Sequence, residues 1–257
     1  MTRWITKELC ELSKENMDLL LDFKIPGILI RGFIDSDICQ TVADRLVSRY
    51  GHMNDIPVNQ QAMCHNRYSH MKKSVYFFKK KRAEQEVADI YQDLNINPVD
   101  KVMETLRRET EREVEIYYEE GHGDYFAGAF RSFKGHGKLH VDHAPSHIHQ
   151  PWAVTQLLRQ LSWNIYYTNY QGKGGELIIY DTVHSKDNDH LKIENDYCFP
   201  YEVLESSTHC KVKPEVGDLV IFNTQNFHEI LGHDQGCRIS QTSFMGLGDD
   251  GNLRLWS

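Results

Sequence analysis

The 257 residues are 40% apolar and 11% aromatic, enough to fill a sizeable core, and a chain of this length fits one large domain. A net charge of −8 argues against general nucleic-acid affinity, which rests on lysine and arginine neutralising phosphates. No apolar run approaches the roughly 20 residues needed to span a bilayer, and the opening Met1–Glu8 lacks the apolar segment of a signal peptide.

Six cysteines (Cys10, Cys39, Cys64, Cys198, Cys210 and Cys237) are scattered without the paired spacing of a zinc ribbon or redox motif. Free thiols, and a soluble chain in the cytoplasm bound to no membrane or nucleic acid, are therefore expected.

Leu9, Leu12, Met17, Leu19, Leu20 and Leu21 recur at loosely helical spacing and predict a helix over 5–22, which Pro26-Gly27 ends. Ile28–Ile34 reads as a strand, and Asp35-Ser36-Asp37 supplies N-cap chemistry for a helix through Ile38, Val42, Leu46 and Tyr50. Residues 51–74 are polar and irregular, either a lid over a site or a surface excursion, and Arg67 lies among them. The basic run Lys79–Arg82, followed at once by Glu84 and Glu86, reads as a solvated helix start. Val87, Ile90, Tyr91 and Leu94, then Val102 and Leu106, predict two helices split near Asn95–Pro98.

After Gly121 the period changes. Tyr125–Phe133, Leu161–Tyr167, Glu176–Tyr180, Asp218–Phe222 and Arg238–Phe244 all read as strands. Helices first and strands afterwards predict an α+β architecture: a helix-rich part over 1–120 packed on an antiparallel sandwich or jelly roll over 121–257, as a single domain.

The chain carries two His-x-Asp triplets. His122-Gly123-Asp124 sits in a glycine-flanked turn, where side-chain directions are poorly fixed. His140-Val141-Asp142 has a β-branched middle residue that suits a strand edge, and residues two apart on a strand point to one face. His228, beyond the apolar run Leu219–Phe222, is the preferred partner, ahead of His143, His147, His149, His184, His190, His209 and His233. Two imidazoles and one carboxylate suit non-haem Fe(II) and leave coordination positions open. Arg238 and Ser240, alternating on one strand face, offer a fixed fork of donors and a hydroxyl to a carboxylate.

Together these residues resemble the iron- and 2-oxoglutarate-dependent oxygenases. The resemblance runs from Arg131 to Phe244 through His140-Val141-Asp142, Gly174-Gly175-Glu176-Leu177, Pro214–Phe222, His228 and Arg238-Ile239-Ser240. Gln160–Asn164, Gly175–Asp181 and Asn223–Glu229 narrow it to the small-molecule branch, which holds radical halogenases and related hydroxylases acting on free amino acids such as lysine or on carrier-free metabolites.

The resemblance implies a double-stranded β-helix core, with Fe(II) on His140, Asp142 and His228 and 2-oxoglutarate salt-bridged to Arg238 beside Ser240. It further implies O2-dependent hydroxylation of an unactivated carbon, with release of succinate and carbon dioxide. In the halogenases of this branch a small residue replaces the motif aspartate and opens a site for chloride; Asp142 therefore implies hydroxylation.

Asn164 is a candidate for facing the cosubstrate, and Arg131 is either a second anion contact or a surface residue. For the substrate, Glu119 and Glu120 are candidates to pair with an amino group, Arg67 to hold a carboxylate, and Thr242 to donate a hydrogen bond. Two alternatives stay open: the same chemistry on a protein side chain or nucleotide, and a non-catalytic metal-binding jelly roll acting as a sensor. A sensor needs the triad but not Arg238 and Ser240.

Overall fold

The computed structural model describes residues 2–50, 72–133, 135–148, 150–169, 172–205, 207–232 and 238–257. Arg67, Cys64, Cys237, His149 and His233 lie outside them. Ser13 opens α1 (Lys14–Leu21), its hydroxyl accepting the Asn16 N–H at 3.1 Å. This helix is shorter than the expected 5–22 because Cys10 pairs with the first strand, β1 (Gly27–Ile30): its N–H donates to the Gly27 carbonyl, and its own carbonyl accepts from Leu29. The strand stops short of Ile34, since Gly32 adopts φ +57° and turns the chain.

Helix α2 (Ser36–Tyr50) follows as expected, with the Asp35 carboxylate accepting the Asp37 N–H. Helix α3 (Lys73–Ile90) begins well before the expected start, so Lys79–Arg82 lies in mid-helix, with Lys80–Glu84 and Arg82–Glu86 paired one turn apart. Tertiary contact fixes its first turn: Tyr76 is fully buried and donates to the Ser257 carbonyl. The Asn97 side chain caps α4 (Pro98–Thr110).

The strands then come in quick succession: β2 (Val114–Ile116), β3 (Tyr118–Glu119), β4 (Gly123–Asp124), β5 (Ala129–Phe133) and β6 (Gly137–His140). The short helix α5 (Ala144–His147) precedes β7 (Arg159–Thr168), β8 (Glu176–Val183), β9 (His209–Val212), β10 (Leu219–Asn223), β11 (Asn226–Leu231), β12 (Arg238–Leu247) and β13 (Leu253–Trp256). A seven-stranded sheet runs β1-β10-β7-β12-β13-β2, with β5 also paired to β12, and a four-stranded sheet runs β6-β11-β8-β9. Within these two sheets every pairing is antiparallel except β13 with β2.

Period-two alternation divides the large sheet into two faces. Leu161, Trp163, Ile165, Tyr167, Leu219, Ile221 and Ile239 pack under Met17 and Leu20 of α1, Val42 and Leu46 of α2, and Val102 and Leu106 of α4. Trp163 is thus core. On the opposite face Tyr166, Val220 and Phe222 meet Leu177, Ile179 and Ile230 of the small sheet. The small sheet's outer face is closed by Phe199, Val203 and Leu204 over Leu139, Val141 and Phe227. No helix among the described residues is long and apolar enough to cross a membrane.

Candidate active site

His140 ends β6 and His228 lies within β11, and the two are directly opposed in the antiparallel register. Opposed residues share a face with Cβ atoms about 5 Å apart, so a pairing of residues far apart in sequence becomes a pair of adjacent imidazoles. Their ring centroids are 4.3 Å apart. Asp142 stands just past β6, held where its N–H donates to the Thr224 carbonyl in the turn between β10 and β11. Its Oδ2 is 3.6 Å from the His140 Nε2 and 3.7 Å from the His228 Nε2.

Each histidine turns its other nitrogen toward a backbone carbonyl: Nδ1 of His140 to Lys138 at 2.6 Å, and Nδ1 of His228 to Asn226 at 2.9 Å. A carbonyl only accepts, so both Nδ1 atoms carry the proton and both Nε2 lone pairs face Asp142. Burial works against a charged His140, but the hydrogen bond and charge of Asp142 outweigh it and raise this imidazole's pKa. Burial, reinforced by the charge on His140, lowers that of His228. The three ligand atoms lie within 4.8 Å of one another. One ion with bonds of about 2.1 Å reaches atoms up to about 4.2 Å apart, so the donor set needs little adjustment to close on a metal. Two neutral nitrogens and one hard oxygen fit Fe(II).

The triad opens onto a cavity of about 160 Å³ between the two sheets. Arg238, Ser240, Asn164, Thr242 and Arg131 line it, all but Arg131 on β7 and β12. Arg238 is buried, with its guanidinium 5.3 Å from the centre of the Tyr166 ring. Asn164 donates to Ser162 Oγ at 3.1 Å, and Thr242 Oγ1 lies 3.1 Å from the same oxygen while donating to the Trp163 carbonyl. Arg131 pairs in register with Ser240 and lines the cavity, half-buried, close enough for its charge to oppose protonation of His140.

Two candidate substrate contacts are not brought to this cavity. Glu119 is buried elsewhere, accepting from Lys73 Nζ at 2.5 Å, from the Ala153 N–H at 2.8 Å and from the Tyr125 hydroxyl. Burial pushes its pKa up, but these donors outweigh burial and leave it lowered. Glu120 is exposed. Alternation along β3 turns Tyr118 outward and Glu119 inward against α3, and Glu120 lies in the turn that follows.

His143 bonds to Ser146, His184 to Asp189 and His190 to the Asp187 carbonyl, so none of them joins the triad. Burial pulls the His143 imidazole down to about 4. Four aromatics that are not among the candidate site residues also line the cavity: Tyr166, Tyr197, Phe222 and Phe244. Tyr166 shares a strand face with Asn164, and period two alone could have found it. Tyr197 stands edge-on to His140 at 5.2 Å from a turn pinned to β6 by the Lys138 N–H and the Lys138–Asp196 ion pair. Nothing local in the sequence marks that contact.

A metal triad and a buried arginine facing one cavity between two antiparallel sheets are what an oxygenase using Fe(II), 2-oxoglutarate and O2 requires. The family model described as carrier-protein-independent halogenase WelO5 matches residues 2–257. The chain belongs to that family, and with it to the Fe(II)- and 2-oxoglutarate-dependent oxygenases.

A curated relative, leucinostatins biosynthesis cluster protein S of Purpureocillium lilacinum, is 28% identical over 124 residues, 47% of this chain and 49% of the relative. The match thus spans about half the length of each. Among solved structures, an N-substituted L-amino acid dioxygenase from Burkholderia ambifaria AMMD superposes with a TM-score of 0.62 at 14% identity, over 95% of this chain and 91% of that one. Its complex with alpha-KG gives 0.61 at 14% identity, over 94% and 90%. At this identity the likeness is one of fold.

Proposed function

We propose that this protein hydroxylates an unactivated C–H bond of a small, amino-acid-derived molecule, consuming 2-oxoglutarate and O2 and releasing succinate and carbon dioxide. In this reading residues 2–257 form one oxygenase unit around a double-stranded β-helix, a description that the facing antiparallel sheets support. His140 and His228 hold Fe(II) through Nε2 and Asp142 through a carboxylate oxygen. Bound there, the metal supplies oxygen activation.

Arg238 receives the remote carboxylate of 2-oxoglutarate, with Ser240 and Asn164 alongside. Its fork is pre-positioned by the Tyr166 ring, and the surrounding strands limit access of water. The amino-acid character of the substrate draws support from the name of the Burkholderia dioxygenase, whose fold this chain shares.

One observation carries hydroxylation over halogenation in a family described by a halogenase. The Asp142 carboxylate stands between the two imidazoles, where the resembling halogenases have a small residue and room for chloride. The test is aerobic turnover of the Fe(II) protein with 2-oxoglutarate and excess chloride over a panel of amino-acid derivatives, followed by mass spectrometry. The expected product is heavier by one oxygen, formed with one succinate. A chlorinated product from the unaltered protein would overturn the assignment.

A further inference from the structure

Resting on that reading, we infer that Gln160 is the positioning residue for the metal-ligating carboxylate, its side chain and its backbone carbonyl bracketing Asp142 from both sides. Register alone places the two imidazoles, since His140 and His228 are directly opposed across β6 and β11. Asp142 stands two residues past the end of β6 and outside any strand, so the ladder does not hold it. A carboxylate off the sheet needs another anchor if its oxygen is to stay between two imidazoles, because a ligand out of place by about 0.5 Å already weakens a site.

Gln160 supplies that anchor through two links. Its carbonyl accepts the Thr224 N–H at 3.1 Å and the Thr224 hydroxyl at 3.3 Å, and the Thr224 carbonyl accepts the Asp142 N–H at 3.0 Å. Its side-chain Oε1 accepts the Ala144 N–H at 2.7 Å, two residues beyond Asp142. Ala144 opens α5, whose N-cap residue His143 makes no capping side-chain bond, so the acceptor for this buried donor comes from β7 instead. Gln160 is itself buried, and period two puts it on the same strand face as Ser162, Asn164 and Tyr166, which line the cavity. A residue that served only to cap α5 would have no reason to hold the Thr224 turn as well. With both links, the strand that forms the cavity wall also sets where the carboxylate stands.

The experiment measures Fe(II) affinity of the full chain, by anaerobic competition with a metal-binding dye, in Gln160→Met, Gln160→Glu, Asp142→Ala and the Gln160→Met/Asp142→Ala double variant. Methionine keeps the length of the side chain and loses the acceptor, whereas glutamate keeps an acceptor oxygen in either protonation state. Gln160→Met should weaken binding by roughly 10–100-fold, and Gln160→Glu should stay within about 3-fold of the wild type. In the Asp142→Ala background the methionine substitution should change affinity by less than about 2-fold, because a residue acting through the carboxylate has nothing left to position. Equal losses in both backgrounds, no loss in either, or a glutamate variant as weak as the methionine one would overturn the inference. Should circular dichroism show Gln160→Met unfolded, Gln160→Asn, its amide withdrawn by one methylene, takes its place in the cycle with the same expectations. A wild-type protein that binds no Fe(II), or an Asp142→Ala variant that binds it as tightly as the wild type, would instead overturn the reading on which the inference rests, so the two failures are distinguishable.

Discussion

The Asp142 carboxylate lies within 3.7 Å of both Nε2 atoms, so removing it takes one of three donors away and leaves two imidazoles facing each other. Asp142→Ala should weaken Fe(II) binding by more than the roughly 10–100-fold that loss of an outer-shell partner costs, measured by competition with a metal-binding dye. With no halide added, it should also lose hydroxylation; full activity would contradict the role given to this carboxylate. Arg238 makes a different claim. Truncating one member of a buried charged pair costs about 2–5 kcal/mol, so Arg238→Gln should raise the 2-oxoglutarate Kd by roughly 30-fold or more while leaving Fe(II) affinity within about 2-fold. Arg238→Lys should recover part of the loss, because an ammonium keeps the charge but not the two-pronged fork. A fall in metal affinity equal to the fall in 2-oxoglutarate affinity would make Arg238 a structural residue.

Strands β6 and β11 carry the two histidines of the triad, with Asp142 just past β6, and the sequence alone makes part of that arrangement legible. The spacing of His140 and Asp142, the apolar run ahead of His228 and the alternation of Arg238 with Ser240 all follow from period two, which a sequence displays directly. The setting of His228 does not follow. The apolar run predicts it at a sheet end, following the strand Asp218–Phe222. Instead Thr224-Gln225 reverses the chain, with the Gln225 N–H closing onto Asn223 Oδ1, and His228 lies inside a separate strand. Strands β2, β9 and β13 have only three or four residues and are defined by their neighbours, as when Leu253–Leu255 pairs with Val114–Ile116. Glu119 shows the same limit: its partner Lys73 is 46 residues away, across a contact no local pattern encodes.

That contact ties α3 to β3. Glu119→Gln should therefore destabilise the fold by about 1–3 kcal/mol at pH 7, measured by urea denaturation. The folded-state pKa of Glu119 lies below its ordinary 4.5, so this stabilisation is present above that value and is lost as pH falls through the lowered one. The difference between wild type and Glu119→Gln should shrink steadily below pH 4.5. A difference that stayed constant far into the acid range would refute the ionic role.

Across the whole molecule the site sits between two layers that are already held together without it. The helices close one face of the large sheet, Tyr166, Val220 and Phe222 join the sheets, and both triad histidines are anchored through Nδ1 by backbone carbonyls. The metal-free protein should therefore remain folded, unlike a zinc finger, and keep its strand signal in circular dichroism. Saturating Fe(II) with 2-oxoglutarate at about 100 times its Kd should add roughly 2.7 kcal/mol, which for a chain of this size raises Tm by about 5–10 °C. Unfolding on metal removal would mean that the triad is part of the core. The most direct measurement of the central claim is an anaerobic titration of the Fe(II) protein with 2-oxoglutarate, followed in the visible. A charge-transfer absorption that saturates at one equivalent, and that is lost in Asp142→Ala and displaced to higher concentration in Arg238→Gln, is the expected result. No absorption at any concentration, with Fe(II) shown to be bound, would contradict the account and leave a metal-binding fold without the oxygenase site.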